Sequence, residues 1–290
     1  MLTIKANAKI NLYLEITGTL ENGYHALSMI MQSISLCDTL RIAQAKDLCV
    51  HCPGVPQEQN SAFRAAQLFF EAAGLAGGAH IEIAKRIPSQ AGLGGGSADA
   101  AAALLGLNAL YANPLRSDAL ARIAVQIGAD VPFFLKGGCQ QCQGIGEVLT
   151  PLENALCPYY LVIQPKGGVS TPAAYRKYDE LGGRRGNLSL CKQALAAGDL
   201  EAFGKATANS LERAAKALCP PIAQALEFLQ AYADCSLMTG SGSACIGLFA
   251  EKARAEAALQ KAQALFPFAV LAQNAPAGIC SAGSQDMEAL

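Results

Sequence analysis

Between residues 88 and 101 the chain reads PSQAGLGGGSADAA, with four glycines, Gly92, Gly94, Gly95 and Gly96, in five consecutive positions. This stretch restricts the fold more than any other. Just before it, Ala79, Ile81 and Ile83 alternate with His80 and Glu82, the period-two pattern of a half-buried strand, which Pro88 ends. Just after it, residues 100–105 with Leu107 and Leu110 are strong helix formers, so a helix is predicted to open at Ser97 or Ala98. The first N–H groups of such a helix have no internal partner and carry about half a positive charge, which makes strand, loop and helix a seat for an anion. Lacking Cβ atoms, the loop can take left-handed angles and approach a phosphate chain closely. A plain turn ahead of a core helix is the competing reading.

Two familiar phosphate loops do not fit. No G-x-x-x-x-G-K-[ST] occurs, and as a dinucleotide fingerprint the stretch has Ser97 where the third glycine belongs and no acid near position 112. An oxidoreductase that binds a dinucleotide here is disfavoured. A third phosphate-binding arrangement is required.

The 290 residues allow about two domains, and 52% hydrophobic content is ample for two cores. With 22 basic and 23 acidic residues spread without blocks, neither a nucleic-acid surface nor a polybasic membrane contact is expected, which leaves a small molecule as the partner. No signal segment opens the chain and no apolar run reaches membrane length, so a cytoplasmic protein is expected. The eleven cysteines fit free thiols in a reducing compartment. Cys49/Cys52 and Cys139/Cys142 are C-x-x-C pairs, but they lie far apart, in strand-like segments where i and i+3 point to opposite faces, so structural thiols are the reading rather than zinc ligands.

From Leu2 to Ile16 even positions are apolar and odd ones polar or tyrosine, which predicts a long strand with one wet face carrying Asn7, Lys9, Asn11 and Tyr13. Residues 21–24 read as a turn, and 27–36 and 39–43 as returning antiparallel strands. Asn60 or Ser61 caps a helix ending at Gly74, and Ser117 caps another ending at Gly128. Val131 precedes a proline, so the chain is predicted to leave that helix extended, with Asp130 at a stiff junction. The stretch 151–158 carries prolines and a polar link, which sets domains at 1–154 and 155–290. Helices follow near 172–178, 188–197, 199–217 and 221–232. Strand 236–239, the loop Gly240-Ser241-Gly242-Ser243, strand 244–250, helix 252–264 and strand 268–273 then complete an α+β order.

Four stretches carry a resemblance: KANAKINLYLEITGTLENGYHAL (5–27), PSQAGLGGGSADAAAALLGLN (88–108), GADVPFF (128–134) and LMTGSGSACIGLF (237–249). Together they are similar to the GHMP kinase superfamily over most of the chain. The resemblance implies an α+β two-domain GHMP-kinase-like fold, with an N-terminal mixed or antiparallel sheet with helices, a C-terminal ferredoxin-like α/β sandwich, and an active site in the cleft between them. It implies ATP as co-substrate with Mg2+. The implied acceptor is the 2-hydroxyl of a cytidylylated methylerythritol, in non-mevalonate isoprenoid precursor synthesis.

Carried over by motif, Lys9 and Asp130 are the catalytic pair. The nucleotide loop is Pro88, Ser89, Gln90, Ala91, Gly92, Leu93, Gly94, Gly95, Gly96, Ser97 and Ala98. Asn11, Tyr24 and His25 match substrate-holding positions, Thr171 and Tyr175 in VSTPAAY reach the same pocket, and Gly240, Ser241 and Gly242 form a second glycine loop that closes the site. Gln90 stands where a small residue is commoner, and Met31 where an aromatic is expected. Other small-molecule kinases of the superfamily, or a ligand sensor on the same fold, are the alternatives.

Overall fold

The computed structural model describes residues 1–21 and 23–281; Asn22 of the turn at 21–24, and residues 282–290 of the second domain as read from sequence, lie outside the described residues. The first sheet is built around two long antiparallel strands, β1 (Leu2–Thr19) and β2 (His25–Ala45). β3 (Cys49–His51), α1 (Ser61–Ala73), β4 (Gly78–Ala84), α2 (Gly95–Leu110), α3 (Ser117–Ile127), α4 (Val131–Lys136), β5 (Cys139–Gly144) and β6 (Val148–Pro151) follow. β4 pairs with the second half of β2 and β5 with its first half. Asn60 caps α1 by accepting from the Ala62 N–H at 2.9 Å, and Gly74 ends it in the left-handed region.

The second half contributes β7 (Tyr159–Gln164), α5 (Thr171–Leu181), α6 (Leu188–Ala197), α7 (Leu200–Ala206), α8 (Glu212–Leu218), α9 (Pro221–Tyr232), β8 (Cys235–Met238), β9 (Cys245–Phe249), α10 (Lys252–Leu265) and β10 (Phe268–Ala272). Its sheet runs β10-β7-β9-β8, all antiparallel. Alternate residues of β7 serve two cores. Leu161 and Ile163 pack with Ile222, Leu226 and Ala258 of the helices, while Tyr160 and Val162 pack against Ala8, Ile10 and Leu12 of β1. The last strand, β11 (Ile279–Ser281), returns to the first sheet and pairs with β1. Among the described residues no helix is long and apolar enough to cross a membrane.

Several sequence expectations change. The polar row of β1 is not wet: Asn7, Lys9, Asn11 and Tyr13 are all buried. Register shifts after Asn7 and after Asn11 reverse which face the side chains occupy, so Ile4 and Ala6, then Lys9 and Asn11, then Leu14 and Ile16 share one side. After Asp130 the chain is helical rather than extended, because Pro132 falls in the first turn of α4, where its missing N–H has no bond to lose. The single helix read at 199–217 is two, α7 and α8. Between them Thr207 donates to the Leu12 carbonyl and the Ser210 N–H donates to the Leu14 carbonyl at 2.8 Å, fastening the break to β1. α2 also opens at Gly95, two residues before the earlier of its expected starts, since Gly94 serves as N-cap at φ 73°.

Candidate active site

A cavity of about 1070 Å³ lies between the halves and is lined by both glycine loops, Lys9, Asp130 and the start of β2. The first loop turns its carbonyls into the protein. Leu93 O accepts from the Lys9 N–H at 3.0 Å, Ser89 O from Gln164 Nε2 at 3.1 Å, Gln90 O from the Ser243 N–H at 3.3 Å and Ala91 O from the Ala244 N–H at 3.1 Å. The first intrahelical bond runs from the Ala98 N–H to Gly94 O at 2.9 Å, so the N–H groups of Gly95, Gly96 and Ser97 precede it and have no helical partner. α2 is 16 residues long and places its positive end at the cavity.

Lys9 Nζ lies 3.8 Å from Asp130 Oδ2 and donates to Asn11 Oδ1 at 2.6 Å. The lysine is buried while Asp130 is about a third exposed, so the pair opens toward the cavity. Its stem is fixed: a Cβ on Gly94 would meet Phe134 Cζ at 2.6 Å and Lys9 Cγ at 3.1 Å, so loop, lysine and α4 touch directly. Asp130 caps α4 without a side-chain capping bond, which leaves its carboxylate for the site.

His25 and Tyr175 also line the cavity, and the ring of His25 stacks on Tyr175 with centroids 4.9 Å apart and 18° between planes, and meets Tyr178 edge-on at 6.0 Å. His25 Nε2 donates to Asp179 Oδ1 at 2.7 Å. Burial raises the pKa of the Tyr175 hydroxyl. Thr171 Oγ1 and Ser241 Oγ are 2.9 Å apart, linking α5 to the second loop, and the Asn11 N–H donates to Thr239 Oγ1 at 2.8 Å. Met31, opposite Asn11 in the sheet, also lines the cavity, as does Met29, whose sulfur accepts from Asn11 Nδ2 at 3.4 Å. The site residues inferred from sequence are therefore brought to one cavity, except Ala98, which is buried inside α2.

The sequence reading missed one cluster. Lys85 lines the cavity with Ser61, and its Nζ donates to both Asp38 and Asp99, to the latter at 2.7 Å. Burial works against the Lys85 ammonium, but the two carboxylates outweigh it and raise its pKa. Burial raises Asp99 to about 7, Lys85 opposes the shift and Asp38 adds to it. A signal existed, since Lys85 closes the strand three residues before Pro88 and Asp99 falls in the opening turns of the helix after the loop. Likewise Thr171, Tyr175, Tyr178 and Asp179 fall at i, i+4, i+7 and i+8 of one helix face.

Burial pushes the Cys139 and Cys142 thiols up to about 12, and all the cysteines are free. Among the described residues no group of three or more His, Cys, Asp or Glu is placed to hold a metal, and Asp130 is the single carboxylate lining the cavity. That donor set suits Mg2+ carried mainly on phosphate oxygens and water.

Fold and site together define a GHMP kinase, and two family models agree: the GHMP kinases N terminal domain matches residues 60–138 and the GHMP kinases C terminal matches 191–267. A 4-diphosphocytidyl-2-C-methyl-D-erythritol kinase of Desulfitobacterium hafniense (strain Y51) is 43% identical over 256 residues, covering 87% of this chain and 88% of the relative. One of the same name from Deinococcus radiodurans is 42% identical over 283 residues, covering 93% and 89%. A crystal structure of 4-(cytidine 5'-diphospho)-2C-methyl-D-erythritol kinase superposes with TM-score 0.82 at 36% identity, over 94% of this chain and 99% of that one. The homoserine kinase of Cytophaga hutchinsonii, at TM-score 0.74 and 18% identity over 96% of both chains, shares the fold. The chain belongs to the 4-diphosphocytidyl-2-C-methyl-D-erythritol kinase family.

Proposed function

We propose that the protein transfers the γ-phosphoryl group of ATP to the 2-hydroxyl of 4-diphosphocytidyl-2-C-methyl-D-erythritol, with Mg2+. The observation that carries this reading is the Lys9–Asp130 pair, which shares one cavity with a helix start open to phosphate and a ring-lined ledge at His25 and Tyr175. Phosphoryl transfer asks the protein for alignment and charge neutralisation. The N–H groups of Gly95, Gly96 and Ser97 hold phosphate oxygens, and bound Mg2+ supplies further neutralisation on them. Asp130 orients the acceptor hydroxyl and receives its proton. Lys9 is kept at 3.8 Å from Asp130 by its closer bond to Asn11, which leaves its ammonium available to the oxygen on which charge grows. Tyr24, His25, Thr171 and Tyr175 hold the cytidyl end of the acceptor.

Residues 1–154 then carry the phosphate donor, and residues 155–290 close over the acceptor through α5 and the second loop. The free thiols support a cytoplasmic setting. Phosphorus NMR of the product formed from ATP, Mg2+ and the cytidylylated acceptor tests the reading. A new phosphomonoester signal on the acceptor is expected; turnover of homoserine or mevalonate with none of the cytidylylated compound would replace it.

A further inference from the structure

One ammonium serves two buried carboxylates behind the glycine loop. Asp38 is fully provided for: its Oδ1 accepts from the Arg86 N–H at 2.5 Å and the Ile87 N–H at 2.9 Å, and its Oδ2 from Lys85. Asp99 is not. Its Oδ2 accepts from Lys85 alone at 2.7 Å, its Oδ1 is buried with no hydrogen-bond partner, and only 3% of the residue is exposed. With both acids ionised the group carries an uncompensated negative charge away from water, which makes Asp99 the place where a further proton binds at least cost.

The cluster also touches the anion seat. A Cβ on Gly95, the first residue of α2, would lie 3.2 Å from Lys85 Nζ, and Lys85 itself lines the cavity. An ammonium and a helix N-terminus therefore share one place. Both are donors to anions, and nucleotide phosphate is an anion that can meet both.

We infer that Asp38 and Asp99 hold the Lys85 ammonium in reserve for the phosphate donor, and that Asp99 takes up a proton from solvent when nucleotide binds. The inference rests on the glycine loop being the nucleotide site. As phosphate draws on the ammonium, Asp99 loses its one donor and gains a like charge nearby; both effects favour its neutral form. The titratable groups acting on Asp99 among the described residues are Lys85 beyond β4, Asp38 of β2 and the Cys52 thiol beyond β3. Lys9 of β1 lies against Gly94 rather than Gly95. Asp99 already sits near neutrality, at about 7, so the linkage falls in the working range. The sign follows: below about pH 7 Asp99 is protonated in advance and nucleotide binds more tightly; above it, binding must recruit the proton and weakens.

Titration calorimetry with a non-hydrolysable ATP analogue and Mg2+ at pH 7.5, repeated in buffers of different ionisation enthalpy, counts the protons. Wild type is expected to take up a large fraction of one proton more than Asp99→Asn, in which the amide mimics the protonated acid. The KM for ATP should rise with pH in wild type and stay flat in Asp99→Asn. In Lys85→Met that KM should rise at least tenfold and the uptake vanish, an effect on KM rather than kcat that a merely structural ion pair does not produce. Equal proton counts in wild type and Asp99→Asn, with analogue bound to both, would overturn the inference and leave the nucleotide reading standing. No heat of binding in wild type would overturn both.

Discussion

The two glycine loops of the cavity look alike in sequence and do different work. The first, at 92–96, runs into a 16-residue helix whose opening N–H groups face the cavity. The second, at 240–242, lies between β8 and β9, and no helix follows it to add unpaired donors or a dipole. It is fastened in place and packs on the first. Asn209 Nδ2 donates to the carbonyls of Met238 and Gly240 at 2.8 and 2.9 Å, and the loop so fixed presses on the first. A Cβ at Gly92, whose φ is +75°, would run into the Thr239 carbonyl, and one at Gly240 would lie 3.0 Å from Gly92. Those two glycines are bare because they meet each other. A Cβ on Gly96 finds no neighbour nearer than Ser61 Oγ at 3.6 Å, so there is open room at that position.

The largest effects are expected where the loops converge. Lys9→Ala removes the ammonium and the stem under Gly94, and Asp130→Asn removes the proton acceptor; each should lower kcat about 10²–10⁴-fold with nucleotide affinity retained, measured by steady-state kinetics and calorimetry. Gly92→Ala should next cost about 3 kcal/mol in urea unfolding, from left-handed strain and the clash with the second loop. Wild-type stability in that variant would break the account of the loop contact. His25→Ala loses the stack on Tyr175, and its KM for the cytidylylated acceptor should rise roughly 3–10-fold with KM for ATP unchanged. Gly96→Ala sharpens the contrast most finely. Stability should hold or gain about 0.5–1 kcal/mol, since alanine suits a helix better, while KM for ATP rises.

Much of the fold was legible because it rests on local patterns. Alternation marks β1 and β4, the two strands read at 27–36 and 39–43 are one, β2, and Asn60 and Gly74 bound α1 as read. What sequence could not give was set by tertiary contact. The register shifts that turn Lys9 and Asn11 inward depend on pairing with β2, and the break at Thr207–Leu211 on bonds to β1. Helix geometry at Val131 overrode the bias that a following proline imposes, because the proline fell in a first turn. The site residues came from motif, which gives no role to Lys85, Asp38 or Asp99, whose partnership joins β2, the segment after β4 and α2. Motif also treated the four glycines as one phosphate-binding unit, whereas the packing sets Gly92 against the second loop, Gly94 and Gly95 against side chains including Lys9 and Lys85, and Gly96 in open room.

The central claim is that the start of α2, and not the second loop, aims the terminal phosphate at Lys9 and Asp130. A crystal structure with a non-hydrolysable ATP analogue and the cytidylylated acceptor tests it most directly. The account predicts phosphate oxygens on the N–H groups of Gly95, Gly96 and Ser97, with the terminal phosphorus facing the acceptor 2-hydroxyl beside Asp130. Phosphates seated on Gly240–Gly242, or turned away from Lys9 and Asp130, would contradict it.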